Sequence, residues 1–247
     1  MNHHQKRILA IVVGSLLVGS LPGPALGNGY MLSPEARQSI CYSLGGHWNP
    51  SSMKSAACKA ALENSPAAQA AFDNRNGYTG FAVAPHGLEQ AKAGVKDGQL
   101  CTGSNTNYAG FAAARSDWTK SDVQPDKNGK AAMTYYYTDV HTPSFIEFYI
   151  NKKGVDTTQK VLGWDDVELL KHFDIKHGDR SDRHTVEVEI PEDRTGDAII
   201  FTRWQRFDAG GEGFYNCSDV NIKSRDASEL PGGGVVDEGD EDENADR

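Results

Sequence analysis

The chain has 247 residues, which suits one large β-sheet domain or two domains of ordinary size, with ample length for a buried core. Its hydrophobic content of 38% and charged content of 24% are typical of a soluble globular protein and exclude collagen-like and coiled-coil chains. The formal net charge of −9 makes nucleic acid a poor partner, because an acidic surface repels the phosphate backbone.

The N-terminus has the pattern of a secretory signal peptide. A basic pair at residues 6–7 precedes an apolar stretch over residues 8–21, and Ala25 and Gly27 are the small residues before a cleavage site. The alternative is a membrane anchor, but the apolar stretch is shorter than the ~20 residues that a membrane-spanning helix needs. We therefore expect an exported protein that begins at Asn28 and does not insert into a membrane.

The first part of the exported chain favours helices and loops. Ser65 and Pro66 form a typical N-cap and first-turn pair within an alanine-rich segment, so we expect two short helices over 53–63 and 66–72. The following stretch, 74–110, is rich in Gly, Asn and Ala and predicts a long irregular region. A region of this kind inside a compact domain is usually functional.

From about residue 133 the sequence changes to β-type patterns. Apolar residues alternate with polar ones or form short β-rich runs, and turn residues such as Pro191 and Gly196 separate them. The runs occupy residues 133–138, 144–150, 185–190, 198–204 and 214–222. The apolar spacing in 164–173 favours a short helix between strands. Together these patterns predict a mainly β protein, an antiparallel β-sandwich with a helical and loop insertion after its first strand.

The C-terminal segment differs from the rest of the chain. Residues 226–247 carry nine acidic side chains and one basic side chain, and they have almost no apolar residues. Such a segment cannot bury enough surface to offset the entropy of ordering, so it predicts an acidic disordered tail. The expected organisation is a signal peptide at 1–27, one domain at 28–225 and the tail at 226–247.

The four cysteines all lie in the part that we expect to be exported. An even number in an oxidising compartment favours two disulfides, and the absence of a CxxC pair disfavours zinc. The spacing leaves all three pairings open. These residues are Cys41, Cys58, Cys101 and Cys217.

Three long motifs stand out along the domain. They are NGYMLSPEARQ at residues 28–38, VHTPSF with FYINK at 140–152, and RWQR with GEGFYNCSD at 203–219. Together they resemble the chitin-binding type-4 domain of lytic polysaccharide monooxygenases, and the branch that contains fusolin and spindolin. The LCTGSN stretch at 100–105 is similar to that branch too. The resemblance covers residues 28–222.

The resemblance implies an immunoglobulin-like or fibronectin-like β-sandwich with a flat surface and one copper ion in a histidine brace. The brace uses the amine and the ring of a histidine at the first mature position, the ring of a second histidine, and an aromatic residue at the axial position. His141 matches the second histidine and Phe214 matches the axial aromatic. The first position is Asn28, which offers the N-terminal amine but no imidazole, and copper prefers imidazole over a neutral amide.

Two candidate functions follow from this resemblance and from the replacement of the first histidine by Asn28. We favour a secreted, monomeric protein that binds an insoluble polysaccharide, chitin or a related β-1,4-glycan, and whose copper site is incomplete. The alternative is active copper-dependent oxidative cleavage of chitin, so whether the chain is an enzyme stays open. A hydrolase is disfavoured, because the sequence offers no placed pair of carboxylates and no GxSxG motif.

Several further side chains are candidates for the site. Tyr30, Tyr42 and Trp48 are candidates for substrate binding, because aromatic rings lie flat on the apolar faces of sugars, although such rings also pack internally. Glu212 and Phe214 are candidates for the catalytic centre. The alternatives are a solvated loop carboxylate for Glu212 and core packing for Phe214.

The histidines also have alternative interpretations. His141 is either a metal ligand or a surface histidine beside a lost site. We expect His172 and His177 to be ordinary surface residues, because they lack a metal-binding motif. His47 or His86 is a weaker candidate to replace the missing first ring.

For the cysteines we expect the pairs Cys41–Cys58 and Cys101–Cys217. The first would close the loop around the alanine-rich segment. The second would tie the insertion to the last strand.

Overall fold

The computed structural model describes residues 29–45, 53–65, 87–207 and 211–225, and the backbone alone of 80–83. Nine strands occur within these residues. They are β1 Gly29–Ser33, β2 Gly80–Val83, β3 Ser121–Val123, β4 Lys130–Tyr137, β5 Ser144–Asn151, β6 Val167–Ile175, β7 Arg183–Glu189, β8 Gly196–Arg206 and β9 Glu212–Ile222. A three-stranded sheet has the order β1-β4-β7, and a six-stranded sheet has the order β2-β9-β8-β5-β6 with β3 beside β9.

Most of the helical segments lie between β1 and β3, where the sequence predicts an insertion. The helices in the described residues are α1 Arg37–Ser43, α2 Ala56–Glu63 and α3 Leu88–Gly94. The 3₁₀ turns are Leu100–Thr102, Thr106–Ala112 and Trp164–Asp166. The first predicted helix, 53–63, is confirmed as α2, whose N-cap Ser55 accepts a hydrogen bond from the Cys58 N–H. The second, 66–72, lies outside the described residues, and no described helix is long and apolar enough to cross a membrane.

The two sheets enclose the main core. In β4 and β7 buried and exposed residues alternate, so one face of the smaller sheet is buried and the other faces solvent. In β5 and β9 nearly every residue is buried. These strands are covered on both faces, because the insertion packs on the outer face of the larger sheet through Ala91, Val95 and Leu100. The predicted β-sandwich is confirmed, with β3 parallel to β9 and every other strand pair antiparallel.

The short helix expected at 164–173 is wrong. Only Trp164–Asp166 forms a 3₁₀ turn, and the rest belongs to β6, which pairs antiparallel with β5 along the whole length of β5. Val167, Leu170 and Phe173 are three residues apart, which mimics one face of a helix. Backbone pairing with a long neighbouring strand overrides that local pattern. The register shifts between the pairs Phe148–Lys171 and Tyr149–Leu169, which leaves Leu170 as an extra residue in β6.

Both expected disulfides are present. Cys41 of α1 is joined to Cys58 of α2, and Cys101 in the insertion is joined to Cys217 of β9. The second bridge closes a far longer loop than the first, with sequence separations of 116 and 17. It therefore fixes the insertion directly to the central part of the larger sheet.

A buried ion pair anchors the N-terminal segment to β9. Arg37 Nε lies 2.5 Å from Asp219 Oδ2, and Arg37 Nη2 lies 3.0 Å from Asp219 Oδ1. The guanidinium also donates to the Phe111 carbonyl at 2.9 Å and lies 4.5 Å from the centre of the Trp118 ring. Because burying a charge is costly unless it is paired and hydrogen-bonded, this set of partners is what allows Arg37 to be buried.

Two further hydrogen bonds extend the same anchor. The Met31 N–H donates to Asn216 Oδ1 at 3.1 Å, and the Ser218 hydroxyl donates to the Pro34 carbonyl at 2.8 Å. They connect the N-terminal segment to β9 although β1 and β9 belong to different sheets. The position of the first strand is therefore set by β9 as well as by its partner β4.

Arg37→Ala tests this anchor, because it leaves the buried Asp219 carboxylate without its cation. We expect the free energy of unfolding, measured by urea denaturation with the disulfides intact, to fall by about 3–5 kcal/mol. Arg115→Ala is the matched control, since Arg115 pairs with Asp117 near the surface and its loss should cost at most about 1 kcal/mol. Equal losses in the two variants would contradict the anchoring role of Arg37.

Candidate functional site

Several strands begin or end at one end of the sandwich. Gly29 at the start of β1 pairs with Tyr137 at the end of β4, and Ser144 at the start of β5 pairs with Arg206 at the end of β8. The loop that connects β4 to β5 carries His141 and therefore lies beside both of these pairs. We call this region the His141 end; it consists of Gly29, the 138–143 loop, residues 206–207 and residues 211–212.

Aromatic rings form the buried base of the His141 end. The Trp204 ring stacks on Phe214 with centroids 4.8 Å apart and meets the edge of Tyr137 at 4.8 Å. The His141 ring lies 6.4 Å from the same Trp204 ring. Burial raises the pKa of the Tyr137 phenol far above its ordinary value, so this hydroxyl stays neutral. Core packing of Phe214 is thus confirmed, and its axial role at a metal stays a prediction.

His141 is largely buried in this setting. Its Nε2 atom lies 3.4 Å from Asp139 Oδ2, and Trp204 lies on another side. A carboxylate partner and a rigid aromatic neighbour orient an imidazole, which is the side chain that proteins use most often to bind metals. His141 is therefore held in a defined position where the first strand begins.

Gly29 allows the start of β1 to come close to the aromatic base. A Cβ atom on Gly29 would lie 2.6 Å from Tyr135 Cε1 and 2.8 Å from the Tyr136 carbonyl oxygen, distances that real Cβ atoms do not adopt. Glycine is therefore required for this close approach. Asn28 is bonded directly to Gly29 and lies outside the described residues.

Glu212 forms a buried ion pair rather than a solvated loop carboxylate. Its side chain contacts the Arg206 guanidinium through Oε2 and Nη1, and the residue is only 8% exposed. Gln205 Nε2 donates to the carbonyls of Gly211 and Glu212 at 2.9 and 3.1 Å. The expectation of a solvated carboxylate is wrong, because the strand pairing of β8 with β9 brings Arg206 and Glu212 together. This network holds the β8–β9 connection at the His141 end.

The other described histidines with identified partners pair with carboxylates. His172 lies 3.2 Å from Glu147 and 3.1 Å from Asp174, and it is exposed, as expected for a surface histidine. His184 lies 3.0 Å from Asp179. The Asp179 carboxyl accepts hydrogen bonds from the Ser181 backbone and from His184, which lowers its pKa to about 2.

No group of three or more His, Cys, Asp or Glu side chains within the described ranges is arranged to hold a metal ion. The metal-ligand candidate that the structure describes at the His141 end is therefore His141 itself. The weaker candidates His47 and His86 lie outside these ranges.

The predicted substrate-binding aromatics are distributed differently from the expectation. Tyr30 is only 4% exposed and packs against Tyr136 with ring centroids 5.5 Å apart, so its ring is not available as an open stacking surface. The prediction for Tyr30 is therefore corrected. Tyr42 is half-buried against the cluster around the Cys41–Cys58 bridge, and Trp48 lies outside the described residues.

Three residues of the RWQR motif are buried and have structural roles that the motif alone does not indicate. Trp204 forms the aromatic base, Gln205 holds the β8–β9 connection, and Arg206 pairs with Glu212. The sequence contains one indication of these roles: two polar residues, Gln205 and Arg206, follow Trp204 at the end of a strongly apolar run. Burial of both polar side chains could not be read from that pattern.

Comparison with known proteins gives consistent matches. Residues 29–220 match the family model described as "Lytic polysaccharide mono-oxygenase, cellulose-degrading". Chitin-binding protein CbpD of Pseudomonas aeruginosa is 33% identical over 89% of this chain and 53% of its own length. A lytic cellulose monooxygenase of Streptomyces ambofaciens is 30% identical over 86% of this chain and 58% of its own length. The chain thus spans about half the length of these curated relatives.

Viral and structural relatives agree with these matches. Spindolin of Heliothis armigera entomopoxvirus is 27% identical over 78% of this chain and 66% of its own length. A Cellvibrio japonicus lytic polysaccharide monooxygenase important for efficient utilization of chitin is 29% identical, with a TM-score of 0.62 over 78% of this chain and 98% of that chain. An entomopoxvirus fusolin is 26% identical, with a TM-score of 0.68 over 80% of this chain and 76% of that chain. The resemblance read from the three motifs and the immunoglobulin-like sandwich are both confirmed.

Proposed function

Because this chain belongs to the lytic polysaccharide mono-oxygenase family, which is copper-dependent, we propose that it is a secreted protein that binds chitin or a related β-1,4-glycan through a site with incomplete copper ligation. One observation carries the proposal. The pairing of Gly29 with Tyr137 brings the start of β1 to the His141 end, and the residue before Gly29 is asparagine.

The ligand set of the described residues does not fit a complete histidine brace. A brace uses two imidazoles and the terminal amine, and His141 is the candidate imidazole that the described part of the chain supplies at this end. His172 and His184 are held by carboxylates of their own. The neutral amide of Asn28 is a poor substitute, since copper prefers imidazole nitrogen.

Glycan binding does not depend on a complete metal site. The Trp204–Phe214 stack, the Arg206–Glu212 pair and the Cys101–Cys217 bridge hold the His141 end and the insertion without a metal. Relatives whose names refer to chitin and to cellulose support a β-1,4-glycan ligand. The two polymers share this backbone, so both belong in the test.

Two disulfides support export, because such bridges persist in oxidising compartments. Cleavage of the proposed signal peptide after Gly27 would make Asn28 the first residue and its α-amine the terminal amine. The proposed mature protein is a monomer with one domain to residue 225 and an acidic tail.

Oxidative cleavage of chitin is the second candidate function. The observation that favours it is the retention of His141 and Phe214 against the same Trp204 ring. The two candidate functions differ in whether the site needs an imidazole at position 28: oxidative cleavage needs it, and glycan binding does not.

We expect the protein to bind insoluble β-chitin or cellulose, and we expect this binding to survive removal of copper. Pull-down on both polymers, with and without a chelator, measures it. The aromatic base and the ion pair hold the surface without metal, so the bound fraction should be the same in both conditions. Absence of retention on both polymers in both conditions would refute the proposed function, and loss of retention only with the chelator would show that the metal organises the surface.

We expect the Asn28 protein to release few or no oxidised oligosaccharides from chitin with ascorbate, and Asn28→His to raise this yield sharply. The reason is that one added imidazole would join His141 and the terminal amine. Mass spectrometry of the products from correctly processed protein measures the yield. Asn28→His/His141→Ala is the matched control, and its yield of oxidised oligosaccharides should fall back to that of the Asn28 protein.

Two outcomes would contradict this account of position 28. Full activity of the Asn28 protein would mean that another histidine supplies the ligand. If folded, correctly processed Asn28→His released no oxidised oligosaccharides, more than the first ligand would be missing.

A further inference from the structure

A cleft lies at the end of the sandwich opposite to the His141 end. It runs between residues 97–113 of the insertion and the 160–166 loop, and it consists of two adjoining pockets of about 200 and 410 Å³ that share Gly98 and Val161. Gly98 has a φ of +80°, and a Cβ atom on it would lie 3.2 Å from Val161 Cγ2, so glycine suits the point where the two pockets meet. We call this region the far cleft.

The far cleft is separate from the His141 end. Ser144 pairs with Arg206 at the His141 end, and β5 runs from Ser144 to Asn151, where the chain enters the loop that forms one wall of the cleft. The Lys152 N–H donates to the Asp166 carbonyl at 2.7 Å, which holds this loop at the far end of the strand. At about 3.3 Å per residue, β5 places the two ends roughly 23 Å apart.

Hydrogen bonds hold the two walls of the far cleft together. The Gly98 N–H donates to the Leu162 carbonyl at 2.9 Å. Asp97 Oδ1 accepts from the Trp164 N–H at 2.7 Å, and the Val95 carbonyl accepts from Trp164 Nε1 at 2.7 Å. The cleft is therefore formed before a ligand arrives, which reduces the entropy cost of binding.

Uncharged polar side chains line the smaller pocket and have hydrogen-bonding capacity left for a ligand. Asn105 Oδ1 accepts from the Asn107 N–H at 3.1 Å, and among the described residues nothing accepts from the Asn105 Nδ2 group. The Thr102 hydroxyl donates to the Gln99 carbonyl at 3.2 Å, so its lone pairs can still accept. The side-chain amide of Gln99 has no hydrogen-bond partner in the described part of the chain. The pocket thus offers donors and acceptors without a charge.

The rest of the smaller pocket is mainly apolar. Ala109, Ala112, Ala113 and Val161 contribute methyl groups to it, and Val161 is 44% exposed. No charged side chain of the described residues lines this pocket. Its lining therefore suits a neutral group that is partly polar and partly apolar.

The larger pocket carries an excess of negative charge. It is lined by Asp97, Asp165 and Asp166 and by Lys160, which pairs with Asp166 at 2.5 Å. Carboxylates repel anions. An acidic ligand is therefore disfavoured in the far cleft.

An acetamido group matches the smaller pocket. It is uncharged, and it combines an N–H donor, a carbonyl acceptor and a methyl group. We propose that the smaller pocket binds the acetamido group of a soluble N-acetylated sugar, either a monosaccharide or the end of a short oligomer. A pocket of this volume admits one sugar unit, whereas the side of an insoluble polymer cannot enter it. The choice of a sugar among acetamido compounds rests on the proposed function, and neither the motifs nor the comparisons assign this site.

NMR titration of the isotope-labelled, processed protein with N-acetylglucosamine and with N,N′-diacetylchitobiose tests the inference. We expect saturable shifts of the backbone amide signals of Gln99, Thr102 and Asn105. Glucose and cellobiose lack the acetamido group and should bind at least about tenfold more weakly, because its hydrogen bonds and methyl contact are lost.

Two variants locate the site. Ala109→Phe places a ring in the smaller pocket and should weaken binding at least about tenfold; Ala109 is exposed, so the fold can accept the larger side chain. Ala93→Phe is the matched control, because Ala93 is an exposed alanine of α3 that does not line the cleft, and its affinity should stay within about twofold. Asn105→Asp keeps the oxygen that accepts from Asn107 but removes the amide donors, and it should also weaken binding.

Three results would overturn the inference. They are the absence of saturable shifts with both N-acetylated sugars, shifts confined to the His141 end, and equal binding of glucose. Unchanged affinity in Ala109→Phe and Asn105→Asp, with thermal unfolding showing that both are folded, would overturn the location.

Pull-down on insoluble β-chitin and cellulose separates this inference from the proposed function. Ala109→Phe should be retained as well as the unmodified protein, because the far cleft lies away from the His141 end. If the unmodified protein is retained on neither polymer but the shifts occur, the proposed function fails and the far-cleft site stands. If it is retained but no shifts occur, the far-cleft site fails and the proposed function stands.

Discussion

The buried Arg37–Asp219 pair sets the geometry on which the rest of this molecule depends. A guanidinium can be buried only when its charge and its donors are satisfied, and here one carboxylate, backbone carbonyls and the Trp118 ring together meet that condition. The partners come from β9 and from the insertion, whereas Arg37 follows β1. One side chain therefore fixes three parts of the chain relative to one another, and the start of β1 is placed as a consequence.

The position of β1 matters for function because it brings the start of this strand close to His141. Because Gly29 fits against Tyr135 without a side chain, the start of β1 comes close to the buried aromatic base from which His141 is also held. The interactions that place the start of β1 therefore do not involve position 28, where we propose the first ligand. A change at this position can therefore leave the sandwich and the disulfides unchanged. This separation of fold from metal chemistry is the reason for proposing a binding protein from a family of copper enzymes.

The sequence predicted the features that depend on local or repeated patterns. Alternation in 133–138 and 185–190 predicted β4 and β7, and an even cysteine count in a chain expected to be exported predicted two bridges. The predictions were wrong where tertiary contacts determine the secondary structure or the exposure of a residue. Residues 164–173 have helical spacing, but 164–166 form a 3₁₀ turn and 167–173 belong to the edge strand β6, because β5 is available for pairing. Tyr30 has the chemistry of a residue that stacks on sugars but is buried against Tyr136. Exposure depends on which elements cover a residue, and that information is not contained in local spacing.

The most direct test of the central claim is calorimetric titration of copper into the protein that begins at Asn28. An incomplete brace predicts binding more than about 100-fold weaker than that of the Asn28→His protein, because even the loss of a residue outside the ligand shell typically costs 10–100-fold in affinity. The remaining weak binding should be lost with His141→Ala. Copper binding by the Asn28 protein as tight as that of Asn28→His, or unchanged in His141→Ala, would contradict the claim that position 28 determines the metal chemistry of this fold.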